Sequence, residues 1–309
     1  MTEFDRRGFL RCAAWAGTGV VWTMAGGVPR AEALEGAAGL LPAAAQGLSF
    51  VQISDSHIGF NKDANPDTNA TLKEAIAKIN ARADQPAFIL HTGDITHLSK
   101  PAEFDTAAEL LKDLKVKEMH VVPGEHDVLD DNKGFLERYG RGTKGQGWYS
   151  FDHSGVHFVA LINVVNLKAG GLGSLGSEQI EWLEDDLKGK SASTPIVVLA
   201  HMPLWSIYPE WGWGTDDSPQ ALSYLKRFGS VTVLNGHIHQ VIQKVEGNIS
   251  FYTTRSTAYP QPKPGAAPSP GPMKVPANEL RSVLGVRDVA VVATGNPLAI
   301  RDVPLASGI

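Results

Sequence analysis

Residues 88–94 read Phe88-Ile89-Leu90-His91-Thr92-Gly93-Asp94, a short apolar run that breaks at a glycine and delivers a carboxylate. A run of this length bounded by glycine fits a buried strand and is too short for a helix. The pattern repeats outward along the chain. Residues 50–53 lead into Asp55-Ser56-His57, and residues 120–122 into Gly124-Glu125-His126-Asp127. Residues 196–200 lead into His201, and residues 231–234 into Gly236-His237-Ile238-His239. Between these runs, Leu72, Ile76 and Ile79 share one helical face, as do Phe104, Ala108 and Leu111, and Ile180, Leu183 and Leu187. Residues 148–151 and 156–162 read as one hairpin; residues 241–245 and 249–252, turned by Glu246-Gly247-Asn248, read as another. Two further strands are expected at 289–292 and 298–303. Strands alternating with helices, with hairpins added, predict a layered α/β domain rather than an all-parallel sheet.

In an open α/β sheet the carboxyl ends of the strands line a common crevice where ligands bind. Each polar piece alone says little, because an Asp or His at a strand end is commonly a turn or a cap. His201 by itself reads as a core histidine. His237 and His239 say more, since residues two apart on an extended segment face the same way. The ordered set of five segments carries the reading. Composition narrows it: ten histidines and one cysteine in 309 residues exclude a disulfide scaffold and a Cys-based zinc fold. Any metal site must therefore use nitrogen and oxygen. A net charge of -5 argues against a nucleic-acid binder that works by phosphate neutralisation.

Taken in order, D-x-H, G-D, G-N-H-D/E, H and G-H-x-H resemble the calcineurin-like metallophosphoesterase superfamily, over about residues 48–259. The resemblance implies a four-layer α/β/β/α sandwich with two metal ions in the crevice. Carried over residue by residue, it implies that Asp55, His57 and His239 hold the first metal and that Glu125, His201 and His237 hold the second. Asp94 would bridge the two. His126 takes the place of the histidine that assists the leaving group, and Asp127 would orient its imidazole through a hydrogen bond. The implied activity is hydrolysis of small phosphodiesters or monoesters by a metal-activated hydroxide, with the branch of cyclic-nucleotide and glycerophosphodiester phosphodiesterases the most alike. Two cations clamp the phosphate and lower the pKa of water, while an imidazolium at His126 contributes about 10²–10⁴-fold. A phosphoprotein phosphatase and a non-catalytic metal- or phosphate-binding protein are the alternatives.

The chain departs from the family pattern at Glu125, where the family has Asn. A carboxylate still ligates, but it adds a negative charge and has no proton to donate. With three carboxylates and four imidazoles, iron and manganese are favoured, and zinc fits the same donors.

The amino-terminal segment has its own chemistry. Arg6-Arg7 precede a moderately apolar, uncharged run from Cys12 to Val28, and Ala31-Glu32-Ala33 has the small-x-small form of a cleavage site. This resembles a twin-arginine export signal over residues 1–33, followed by a linker at 34–47 and the catalytic domain at 48–309. A run of 17 residues with four glycines sits at the short limit for spanning a bilayer. The expectation is an exported protein, periplasmic or extracellular, handled by the twin-arginine machinery, with no stable membrane anchor in its mature form.

Several other features are read as structure. Seven prolines within residues 260–276 predict an extended stretch, read as a surface connection to the last strands, with a loop folded over the active site as the alternative. Gly171-Leu172-Gly173-Ser174-Leu175-Gly176 fits G-x-G-x-x-G formally but lacks the strand context of a dinucleotide site, and reads as a loop capped by Ser177. Trp205, Tyr208, Trp211 and Trp213 are expected to pack on one another. Arg255, His91, His120, His153 and His157 read as structural. His97, three residues beyond Asp94, is placed equally well on the surface or near the crevice.

Overall fold

The computed structural model describes residues 20–25, 28–33, 48–291 and 298–306. Arg6, Arg7, Cys12 and the expected linker at 34–47 lie outside them. Within the expected signal, the backbone of β1 (Val20–Ala25) pairs antiparallel with β2 (Val28–Ala33). No helix among the described residues is long and apolar enough to cross a membrane.

Two sheets form the body of the molecule. The first contains β3 (Ser49–Ile53), β4 (Ile89–Thr92), β5 (Met119–Val122), β12 (Gly285–Val291) and β13 (Leu298–Pro304), in the order β13-β12-β3-β4-β5. The second contains β6 (Tyr149–His153), β7 (Val156–Ala160), β8 (Ile196–Leu199), β9 (Val231–Asn235), β10 (Gln243–Glu246) and β11 (Ile249–Thr253), in the order β10-β11-β9-β8-β7-β6. The three strands that end in Asp55, Asp94 and Glu125 are mutually parallel, and so are β7, β8, β9 and β11. Antiparallel strands close the edges, so the sheets are mixed as the hairpin signals predict.

Side-chain alternation assigns the layers. Phe50, Phe88, Leu90 and Val122 point from the first sheet toward Phe158, Ala160, Val197 and Leu199 of the second, and all are buried. The intervening residues face outward. Val51, Ile53, Ile89 and Val121 pack under helices α1 (Thr68–Asn80) and α2 (Pro101–Leu111). Val159, Ile196, Val198 and Val233 pack under α4 (Ser177–Lys188) and α5 (Ser218–Leu225). A sheet buried on both faces needs apolar residues at every position, which explains the unbroken runs in the sequence. The result is helices, sheet, sheet, helices.

Local chemistry fixes the helix ends. The Asp67 carboxylate accepts from the Ala70 N–H at 2.9 Å and starts α1, while Pro101 opens α2 where a missing N–H costs nothing. At α4 the expected Ser177 cap is absent. Asp217 instead braces the turn that leads into the helix, accepting from Leu175 N, Gly176 N and Ser174 Oγ. Three short helices, α3 (Lys133–Tyr139), α5 and α6 (Leu280–Val283), were not visible as periodic patterns, because four to eight residues give too few turns to show one.

Candidate metal centre

The carboxyl ends of β3, β4, β5, β8 and β9 meet at one crevice. Asp55, His57, Asp94, Glu125, His201, His237 and His239 all reach it, and all except Glu125, which is half-buried, are buried. Their donor atoms fall into the two trios expected from the sequence: Asp55 with His57 and His239, and Glu125 with His201 and His237. Asp94 lies between. Its Oδ2 is 3.4 Å from His57 Nε2 and 3.5 Å from His201 Nε2.

The backbone is bent to achieve this. Nine non-glycine residues among those described have positive φ, and five of them are Asp55, His57, Asp94, His237 and His239. Left-handed backbone at a bulky residue is strained and persists only where its surroundings over-determine it. Hydrogen bonds supply that determination: Asp55 N donates to Gly93 O, His57 N to Asp94 O, and His237 N to Asp55 Oδ1. The motif glycines have a separate reason. A Cβ at Gly124 would lie 2.0 Å from Asp94 Oδ1, and one at Gly236 would lie 2.1 Å from Ser54 Oγ. Both positions require the absence of a side chain so that neighbouring strand ends can close on one point.

Tautomers follow from the anchors. A carbonyl oxygen only accepts, so His201 Nδ1 donates to Thr92 O at 2.6 Å and His239 Nδ1 donates to Tyr259 O at 2.5 Å. Each ring therefore turns its basic Nε2 inward. His239 Nε2 faces His57 Nε2 at 3.3 Å, and His201 Nε2 approaches Glu125 Oε2 at 2.9 Å. Glu125 Oε1 stands 3.0 Å from His237 Nδ1. Asp55 Oδ2, Glu125 Oε2, His201 Nε2 and both nitrogens of His237 are buried without a hydrogen-bond partner.

Such atoms are costly unless something positive satisfies them. The electrostatics agree. Burial alone would raise Glu125, yet the His237 and His201 rings hold its carboxyl well below the usual range. Burial would lower His201, yet Asp94 and Glu125 push it well above the ordinary imidazole value. The cluster demands cationic charge, and seven nitrogen and oxygen donors without a thiolate fit hard or borderline divalent metals. The residues fit the implied pair of ions.

One assignment changes. Asp127 makes no hydrogen bond to the His126 ring. Its carboxylate accepts from Gly124 N at 3.0 Å, Ile95 N at 3.0 Å, Thr96 N at 2.7 Å and Thr96 Oγ1 at 2.8 Å. A buried carboxylate takes every donor in reach, and here four lie on the backbone and hydroxyl of neighbouring loops. His126 Nδ1 instead donates to His97 O at 2.7 Å, which leaves its Nε2 for the crevice. Burial opposes a charge on His126, but Asp94 and Glu125 outweigh it and raise its pKa above the ordinary value.

Tyr259 is a site residue with no signal in the sequence. Its ring stacks on His57 at 4.8 Å, and its carbonyl anchors His239. The proline-rich segment starts immediately after it, and Pro260 and Pro262 are buried, so the base of that segment is a wall of the crevice. The aromatic loop packs on itself: Tyr208 on Trp211 at 5.0 Å and Trp211 on Trp213 at 5.1 Å. Arg255 donates to Ser282 O, and His91 accepts or donates at Ser56 Oγ behind the site.

Comparison with known proteins agrees with this geometry. A 3′,5′-cyclic-nucleotide phosphodiesterase of Nostoc sp. is 24% identical over 223 residues, covering 69% of this chain and 79% of that protein. A glycerophosphodiester phosphodiesterase of Enterobacter lignolyticus is 24% identical over 205 residues, covering 63% and 71% respectively. The fold superposes on a dimetal phosphatase from Danio rerio with a TM-score of 0.64, at 13% identity over 84% of this chain and 96% of that one. At that identity the superposition speaks for fold alone. The family model for calcineurin-like phosphoesterases matches residues 48–241, which holds all seven donors and His126. This chain therefore belongs to the calcineurin-like phosphoesterases and is a phosphoester hydrolase.

Proposed function

We propose that the protein hydrolyses small phosphate esters, phosphodiesters before monoesters, at a dinuclear metal centre. The observation that carries this is the pair of donor trios, inward-facing and unpartnered, with Asp94 shared between them. Asp55, His57 and His239 would hold one ion, and Glu125, His201 and His237 the other. When bound, the ions supply Lewis acidity that polarises the phosphoryl oxygens and makes a water molecule nucleophilic. Three carboxylates in the set support iron or manganese over zinc.

The chain's own residues do the rest. The anchors at Thr92 O and Tyr259 O hold His201 and His239 in one tautomer, so no reorganisation is needed when substrate enters. Water oxygen forms the new bond to phosphorus and loses a proton to solvent. The bond to the leaving oxygen breaks, its electron pair stays on that oxygen, and His126 Nε2 supplies the proton. Tyr259 packs its ring on both His57 and Phe60 and so braces one of the proposed ligands.

Diesters come first because Glu125 places a third carboxylate in the crevice, and a diester carries one negative charge where a monoester carries two. The two phosphodiesterase relatives favour the same order. The amino-terminal signal makes the working compartment one outside the cytoplasm, with domain boundaries at 33 and 48. Turnover of bis(p-nitrophenyl) phosphate against p-nitrophenyl phosphate, with iron, manganese or zinc added and removed, tests the reading. Faster cleavage of the diester supports it. Faster cleavage of the monoester reverses the order, and turnover unaffected by chelation overturns the metal assignment.

A further inference from the structure

His97 stands outside both donor trios, yet it is built into the same crevice. Its backbone N–H donates to Ile58 O at 3.0 Å, which locks the segment after β4 against the segment after β3. Its carbonyl accepts the His126 Nδ1 proton. Its ring lies nearly parallel to that of His126, with centroids 5.0 Å apart and planes at 16°. The His97 ring also makes a T-shaped contact with Phe60 at 5.2 Å and 88°, and Phe60 is itself buried. The same short segment holds the backbone of His126, because Ser99 Oγ and Thr96 Oγ1 both donate to His126 O. The His126 ring thus stacks on one imidazole, is held at one nitrogen by a carbonyl, and meets the edge-on ring of His57 at 4.8 Å, which itself lies 5.6 Å from His97.

We propose that the His97 side chain is the positioning residue for His126, a role the family resemblance implies for Asp127. The proposal rests on His126 as the proton donor in the reaction given above. A parallel ring at this separation acts in two ways. It removes the freedom of His126 to swing about its χ angles, so that Nε2 stays directed at the leaving oxygen. It also keeps the two rings in offset stacked contact, an arrangement that aromatic pairs favour at centroid separations of about 4.5–7 Å. Asp127 contributes one step back, by fixing the Thr96 backbone on which the segment depends.

The role separates leaving groups. A p-nitrophenolate departs without a proton, whereas an alkoxide needs one. With metal-loaded protein, kcat is measured on bis(p-nitrophenyl) phosphate and on glycerophosphoethanolamine, for the wild type, His97→Ala and His97→Phe. The expected result for His97→Ala is about a 30-fold or greater loss on the alkyl diester, a part of the about 10²–10⁴-fold that a general acid supplies, and less than about threefold on the aryl diester. His97→Phe, which keeps a ring face, is expected to recover most of the alkyl rate. Metal content, read by mass spectrometry of the purified proteins, is expected to match the wild type in both variants. Equal losses on the two esters overturn the proposal, as does a Phe variant no better than Ala, or loss of metal in either variant. A wild type that cleaves the aryl diester alone also overturns it, because no proton donor is then at work. A wild type that cleaves neither ester removes the phosphodiesterase reading, and this role goes with it.

Discussion

His157 on β7 and His201 just beyond the end of the neighbouring β8 are both buried histidines beside carboxylates, and they do opposite things. His157 Nδ1 pairs with Asp152 at 2.8 Å and its Nε2 with Asp186 at 2.7 Å, so each nitrogen has its own acceptor. The carboxylates are satisfied in turn, Asp152 by Lys190 and Asp186 by Ser150. His201 spends one nitrogen on Thr92 O and turns the other toward Asp94 and Glu125, where it finds no hydrogen bond. A buried polar cluster with every lone pair answered cross-links the fold. One whose donor atoms converge and stay unanswered is arranged for a ligand. The distinction lies in the number of unmet atoms, not in residue type or burial.

The largest test of that contrast is metal removal. Chelation is expected to abolish turnover and lower the melting temperature, and restoring metal to about 100 times its dissociation constant returns about 2.7 kcal/mol. Calorimetric titration of metal into the stripped protein should read two ions per chain. His201→Ala should lose activity with one ion fewer bound. His157→Ala should keep two ions and full turnover while costing about 1–3 kcal/mol in urea unfolding, since it strands Asp186. A His157 variant that loses metal would break the contrast.

A smaller effect is expected at Gly124. The added methyl of Gly124→Ala meets Asp94 Oδ1 and displaces a bridging carboxylate without removing any donor. The metal dissociation constant should rise about 10–100-fold, as for other changes to groups that orient ligands. Gly189→Ala, with open space around its Cβ and a negative φ like that of Gly124, serves as the control for the added methyl alone.

The smallest effect is on pH dependence. Burial works to raise Asp186, but hydrogen bonds from His157 and Ser150 outweigh it and leave its pKa below the usual value. A depressed folded-state pKa stabilises above the unfolded value and is lost as pH falls through the folded one. Urea midpoints should therefore drop as pH falls below about 4, the unfolded value, and Asp186→Asn should flatten that slope. An unchanged slope would show that the His157 cluster adds nothing to acid stability.

Much of the centre was legible in the sequence, and particular residues show why. Asp94 follows an apolar run and a glycine, and His237-x-His239 needs only the two-residue period of extended chain. Both signals are local. Tyr259 and His97 act through a carbonyl and a ring face, which leave no mark in a motif. Asp127 sits beside His126 in sequence, but its carboxylate turns back to Thr96 and Gly124 because four donors wait there. Adjacency along the chain did not predict contact.

The sequence by itself determined the alternation of strands and helices, the five segments bearing donors and the exclusion of thiol chemistry, because these follow from periodicity and residue type. Only the tertiary structure decided which atoms meet: the two trios, the shared Asp94, the tautomers set by Thr92 and Tyr259, and the stacking of His97 on His126. Those contacts join segments as much as 184 residues apart, as Asp55 to His239, and no local rule reaches across that distance. They depend on two sheets closing face to face over one apolar core, which aligns the strand ends to within hydrogen-bonding range.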